Sequence, residues 1–313
     1  MKSKLIFPFI ILVIFTKTVL AQGKLSQGEH FAEVNGLKMH YYVEGTGPVC
    51  LFPSPGWGLS VDYARSISVL KKHFTVVFYD TRHSGKTNGP DDYRHYTGKY
   101  FTDDMDALRI YLGQPKVWVA GHSAGGFQVL RYGIHYSVNL NGIIAIDALA
   151  VADSMYLAEA HKQMLKRVNK PYFTWKRADM VLGLDTTKRT LQEDLSQTFE
   201  FYFHDPAKMK LFPANYTLND MAWDYTNKAE TFSENLLPDL KRISVPVLVL
   251  AGDDDVVCDA ISQAIRIYQN VPHANMAIFN DSGHCPWIEQ PAAFDTAVEA
   301  WLSEILASQM DQK

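Results

Sequence analysis

Cysteine is scarce in this 313-residue chain. The three residues, Cys50, Cys258 and Cys285, are odd in number and too few for a disulfide framework to hold the fold together. Cys258 and Cys285 could approach each other in the fold, but a bridge needs a geometry that spacing does not supply. No Cys/His group has the spacing of a zinc site and no dinucleotide fingerprint occurs, so neither a metal nor another cofactor is expected. Positive charge is not in excess. Lys and Arg number 30 against 34 Asp and Glu, a formal net charge of −4, and a nucleic-acid partner would want a basic patch. Internal repeats and low-complexity linkers are absent, which excludes solenoid arrays. The apolar run Leu5 to Phe15 is too short and badly flanked for a stable membrane span.

That run sits in an N-terminal segment, Met1 to Ala21, laid out like a signal peptide. Lys2 and Lys4 lead, and Val19-Leu20-Ala21 supplies small residues before Gln22. The expected mature protein is secreted or periplasmic, with no stable membrane insertion after cleavage. Three lysines leave with the segment and no acid does, so the net charge moves from −4 to −7. A composition 47% hydrophobic and 20% charged suits a globular chain with a sizeable core.

Phe31 to Val34 and Leu37 to Val43 read as strands around Asn35-Gly36, a hairpin dipeptide. Short apolar runs of the fully buried type follow: Val49 to Phe52, Phe74 to Tyr79, Val117 to Ala120, Gly142 to Ile146, Val245 to Leu250 and Asn275 to Phe279. Helical spacing fills the intervals at Asp103 to Leu112, Gly126 to Tyr136, Ala260 to Gln269 and Ala292 to Leu306. Strand then helix, repeated, predicts an α/β fold: a mostly parallel sheet with helices on both faces. The interval Val151 to Leu237 breaks the rhythm and predicts an inserted helical cap, dividing the core into residues 22–150 and 238–313. Tyr156, Phe173, Trp175, Phe199, Phe201, Tyr202, Phe203 and Trp223 are expected on its inner face, though apolar residues at helical spacing are usually plain core.

The sharpest motif is Gly121-His122-Ser123-Ala124-Gly125, set between a strand run and a helical run. A serine on so abrupt a turn has strained backbone angles, and small residues two before and two after it let strand and helix pass. Gly121 and Gly125 meet that need. The turn lifts Oγ above the sheet and aims the Ala124 N–H and the helix N-terminus at an oxygen that becomes negative. His122 points away from Ser123 and cannot serve it as base.

With this motif the chain resembles the α/β-hydrolase family, from about Phe31 to Leu306, and the resemblance implies a triad in the order Ser, acid, His. Ala251-Gly252-Asp253-Asp254-Asp255-Val256-Val257 looks like the family's acid loop, whose acid lies three residues beyond the glycine, at Asp255. Asp253 and Asp254 read as solvated loop acids. Asp147, closing the preceding strand, occupies a place some members use and stays open as a rival. The base falls at His284 in Ser282-Gly283-His284, after the last strand. Free serine is a weak nucleophile, so an imidazole oriented by a carboxylate is a chemical necessity.

A second oxyanion donor is expected from Phe52-Pro53-Ser54-Pro55-Gly56-Trp57-Gly58. The family's usual H-G-x-x-G is altered there, with Phe52 and Pro53 replacing His and Gly. Alignment on Gly56 puts the donor at Ser54, and the flanking prolines lack an N–H; Gly56 and Trp57 are fallbacks. The stretch Asp80-Thr81-Arg82-His83-Ser84-Gly85-Lys86-Thr87 ends like a phosphate loop, but lacks the first glycine and starts no helix.

Serine at the elbow argues against members with an aspartate nucleophile there and leaves acyl transfer to water. A carboxylesterase-like action on a small apolar ester is the leading expectation, with Trp57, His122, Trp175 and Trp223 as candidate substrate contacts. The helical cap and Pro55-Gly56-Trp57-Gly58 also resemble proline iminopeptidases, which take short peptides and hold the amino group with cap acids; Glu193, Glu200, Asp224 and Glu230 are the candidates. A catalytically silent binding protein of the same fold is a third reading.

Overall fold

The computed structural model describes residues 23–310, so the Met1 to Ala21 segment and its cleavage site lie outside the described residues. Eight strands form one sheet: β1 (Gly28–Val34), β2 (Leu37–Glu44), β3 (Val49–Pro53), β4 (Thr75–Tyr79), β5 (Val117–His122), β6 (Leu140–Ile146), β7 (Val247–Gly252) and β8 (Ala274–Phe279). Their order is β1-β2-β4-β3-β5-β6-β7-β8. β1 and β2 pair antiparallel, as do β2 and β4, and every other pairing is parallel. All eight runs read from the sequence are therefore strands. The hairpin turn puts both Asn35 (φ 50°) and Gly36 (φ 77°) in the left-handed region, as a two-residue turn matched to strand twist requires.

The apolar runs lack alternation because both faces are covered. On β5, Val117 and Val119 enter one core while Trp118 and Ala120 enter the other. β6 and β7 split in the same way: Ile143, Ala145, Val247 and Val249 face one layer, and Ile144, Ile146, Leu248 and Leu250 the opposite one. The first layer takes side chains from α1 (Gly98–Tyr111), α2 (Ala124–Tyr136) and, in the Ala260–Asn270 segment, from Ala260, Ala264 and Ile267. The other takes Phe294, Val298, Trp301 and Leu302 from the C-terminal helix Pro291–Met310. Among the described residues, no helix is long and apolar enough to cross a membrane.

One helix differs from expectation. The Ala260 to Gln269 run opens with a π turn, Ala260–Ala264, before regular helix at Ile265–Asn270. Asp259 caps this opening, its side chain accepting the N–H groups of Ile261 and Ser262. Between β6 and β7 the chain forms short helices, Ser154–Leu165, Trp175–Val181, Leu191–Thr198 and Asp220–Lys228, with a small apolar cluster around Met164, Ala178 and Phe201 that Val256 of the acid loop joins.

Candidate active site

Ser123, Asp255 and His284 follow β5, β7 and β8 respectively, so parallel strands deliver all three to the same edge of the sheet. Ser123 has φ 59° and ψ −125°, the strained turn expected of it, and its N–H is tied to Ile146 O at 3.0 Å. A Cβ on Gly121 would lie 2.3 Å from Gly125 O, so that glycine is obligatory. Gly125 is not: its Cβ would meet nothing closer than Pro53 O at 3.4 Å. The tight partner is the next residue, Gly126, whose Cβ would come within 2.4 Å of Ala148 Cβ. The helix is therefore packed tightly on two sides, against the strand it has just left at Gly121 and against the chain leaving β6 at Gly126.

His284 Nδ1 and Asp255 Oδ2 lie 2.7 Å apart with both residues buried, and Val257 N–H donates to the other oxygen, Oδ1, at 2.7 Å. A carboxylate can only accept, so Nδ1 carries the proton and Nε2 is left as the free base. Ser123 and His284 share the wall of one cavity of about 190 Å³, although no hydrogen bond joins their side chains in this structure. Cys258 reaches the same wall, beside Ser123. Asp255, Cys258 and His284 bring three ligand-type atoms within 4.8 Å of one another. The carboxylate and the imidazole are committed to each other, however, which is an acid–base arrangement. The three cysteines are free buried thiols, and Cys258 and Cys285 face the cavity unbridged. Burial pushes both thiols well up, so they stay protonated and poorly nucleophilic.

Ala124 lines the cavity at the N-terminus of α2, where its N–H is available. Ser54 does not hold the role assigned from sequence. Its N–H extends the β3–β4 ladder to Tyr79 O at 2.9 Å, its Oγ meets Thr81 Oγ1 at 2.8 Å, and it is fully buried away from the cavity. Pro55 has no N–H, and its carbonyl accepts from Gln128 at 3.0 Å; of the positions named from the sequence, Gly56 and Trp57 remain as donors. Trp57 lines the cavity.

Of the other expected contacts, Trp223 lines the cavity and packs edge-on against Trp57. Trp175 is 48% exposed, stacks on His161 and lies off the cavity, so it is not a substrate contact here. His122 lines the wall but acts on the loop behind. Its Nε2 lies 2.7 Å from His284 O and its Nδ1 3.0 Å from the Tyr63 hydroxyl. A carbonyl can only accept, which fixes the proton on Nε2; burial and the neighbouring His284 push the His122 pKa well down, keeping the ring neutral.

Several residues of the site were missed or misread in the sequence. Glu289 is a buried carboxylate that accepts N–H groups from Gly283 (2.6 Å), His204 (3.2 Å) and Asp205 (3.0 Å). With the His284 N–H donating to Tyr202 O at 2.7 Å, it fastens the histidine loop to the segment between β6 and β7. Asp254 is no solvated acid. Buried Arg167 grips it at 2.9 Å and His204 Nδ1 lies 3.0 Å away. None of the four candidate cap acids lines the reactive cavity: Glu193 completes a capping box with Thr190, Glu200 pairs with Arg177, Glu230 sits in a left-handed turn, and Asp224 lines an adjoining polar cavity of about 550 Å³ that shares Asp194, Tyr202 and Trp223 with it. The carboxylate that does line it is Asp194, held by Arg189 at 2.6 Å. Leu191, Asp194 and Leu195 share one helix face, an acid on an apolar stripe, and that spacing was the available clue.

A strained serine above a parallel sheet, with a histidine–carboxylate pair over the same edge, defines a hydrolase of the α/β class. A family profile described as the alpha/beta hydrolase fold matches residues 48–291, and the chain belongs to that family and is an enzyme. A proline iminopeptidase of Saccharolobus solfataricus is 22% identical over 304 residues, covering 90% of this chain and 94% of its own. The 3-oxoadipate enol-lactonase 2 of Acinetobacter baylyi is 26% identical over 268 residues, 81% of this chain and 88% of its own. An alpha/beta fold family hydrolase from Bacillus anthracis str. Sterne superposes with a TM-score of 0.72 at 21% identity, over 87% of this chain and 98% of that one, a likeness of fold.

Proposed function

We propose that the protein hydrolyses a small apolar ester through an acyl-enzyme on Ser123. His284 acts as base and then acid, and Asp255 holds the imidazole. The observation that carries this is the cavity at Ser123: Leu59, Leu149, Leu195, Phe199 and Phe212 supply an apolar wall, and its one carboxylate, Asp194, is already neutralised by Arg189. The Ala124 N–H and the Trp57 N–H are the oxyanion donors of this reading. Residues 151–237 are its cap: Tyr156, Phe199 and Trp223 roof the serine, exclude water and set the acyl group accepted. The lactone acted on by the Acinetobacter relative is itself an ester, which favours the same class.

Asp194 favours a second reading, that of an aminopeptidase, because a carboxylate within the reactive cavity can hold a substrate ammonium. Short-chain p-nitrophenyl esters and aminoacyl-naphthylamides, proline included, separate the two. The ester reading expects turnover of the esters, little of the amides, and an equal effect of Asp194→Asn on both. Turnover dominated by the amides, abolished by Asp194→Asn with esters spared, would make the protein a peptidase.

Export completes the proposal. The mature chain begins at Gln22 outside the cytoplasm, which N-terminal sequencing of the native protein checks. A soluble cytoplasmic protein that retains Met1 would overturn it.

A further inference from the structure

Asp147 closes β6 beside the acid loop, and no step above uses it. It is buried and holds φ 40°, a left-handed backbone that Gly, Asn and Asp adopt more readily than other residues. Its N–H donates to Leu250 O at 2.7 Å, and its Oδ1 accepts the Gly252 N–H at 2.8 Å. The side chain is thus pinned across the ends of β6 and β7. Its second oxygen, Oδ2, is buried and meets no donor. Within hydrogen-bonding reach of this carboxyl lies another one, that of Asp255.

Two ionised acids cannot stably share so dry a place, and one of them must keep a proton. Asp255 is committed as an acceptor on both oxygens, to His284 Nδ1 and to the Val257 N–H. The proton therefore belongs to Asp147. We propose that Asp147 is a positioning residue: as a neutral carboxylic acid it donates a hydrogen bond to the Asp255 carboxylate and fixes the side chain that orients His284. The other ionisable groups that act on it agree. Glu289 adds negative potential, and the Cys258 and Cys285 thiols nearby are neutral. Burial foremost, then the Asp255 charge, push the Asp147 carboxyl well above the usual carboxylate range.

The inference rests on the Ser123–His284–Asp255 reading and is tested by two substitutions. Asp147→Asn reproduces the neutral acid, since its amide oxygen can accept from Gly252, its NH2 can donate to Asp255, and asparagine tolerates the backbone. Asp147→Gly also tolerates the backbone but removes both contacts. On a p-nitrophenyl ester, Asn is expected to stay within about threefold of the parent in kcat/KM, whereas Gly falls about tenfold or more, chiefly in kcat. In the Gly variant KM should stay close to that of the parent, because the cavity that binds the ester is untouched. Rates are normalised to fluorophosphonate-titrated sites, which separates lost folding from lost positioning. An Asn variant as impaired as Gly would show that an ionised Asp147 is needed, and a Gly variant matching the parent in kcat, or losing only in KM, would show that Asp147 positions nothing. Either result overturns the inference. Failure of the triad reading looks different, because the parent enzyme would then take no label at Ser123.

Discussion

Ser123→Ala and His284→Ala are each expected to lower kcat on a p-nitrophenyl ester by about five to six orders of magnitude. Either change removes the activated nucleophile as a unit, so the double variant should be scarcely worse than the singles. The size of the effect follows from the site's isolation. A serine hydroxyl at its free pKa attacks an ester poorly, and the residue beside it offers no substitute: Cys258 shares the cavity, but burial keeps its thiol protonated. What survives in the variants comes from the Ala124 and Trp57 N–H donors and from the cavity that positions the ester. Fluorophosphonate labelling should vanish in Ser123→Ala and become very slow in His284→Ala. Near-normal turnover in either variant, with the fold intact by thermal melting, would remove the triad from the proposal.

The sheet was legible in the sequence for a simple reason. Strands covered on both faces have no polar side to hide, so β3 to β7 read as unbroken apolar runs; the parallel order follows from the helices between them. Ser123 and His284 were legible because a tight turn and a sharp loop demand glycine at fixed offsets, Gly121 and Gly283. The second oxyanion donor was not, since whether Ser54 keeps a free N–H depends on how far the β3–β4 pairing runs. It runs one residue past Pro53, to Tyr79 O, and removes Ser54 from the list. Asp254 and Glu289 failed for a related reason. An acid in a loop looks solvated until its partners are known, and the partners here, Arg167, His204 and the Gly283 N–H, stand up to 87 residues away. Trp175 and Trp223 are indistinguishable by composition. Which one faces Ser123 is decided by the packing of short helices, and propensity says little about that.

Asp255→Asn separates the two acids that the sequence left in competition, and it is expected to cost about four orders of magnitude in kcat. Val257 N–H needs an acceptor at Oδ1, so an amide at this position must place its oxygen there and its NH2 toward His284. That NH2 is a donor, and the imidazole meets it by presenting an unprotonated Nδ1. The ring proton then sits on Nε2, the nitrogen that should receive the proton of Ser123, and the base is lost although every atom keeps its place. Asp147 cannot stand in. Its Oδ1 is held by Gly252, it makes no hydrogen bond to His284, and its side chain is fixed to the ends of β6 and β7. Asp255→Asn should therefore be far more damaging than Asp147→Asn, with little change in KM in either, as measured by ester turnover. The reverse ranking would move the triad acid to Asp147 and leave the 2.7 Å contact between Asp255 and His284 without a catalytic purpose.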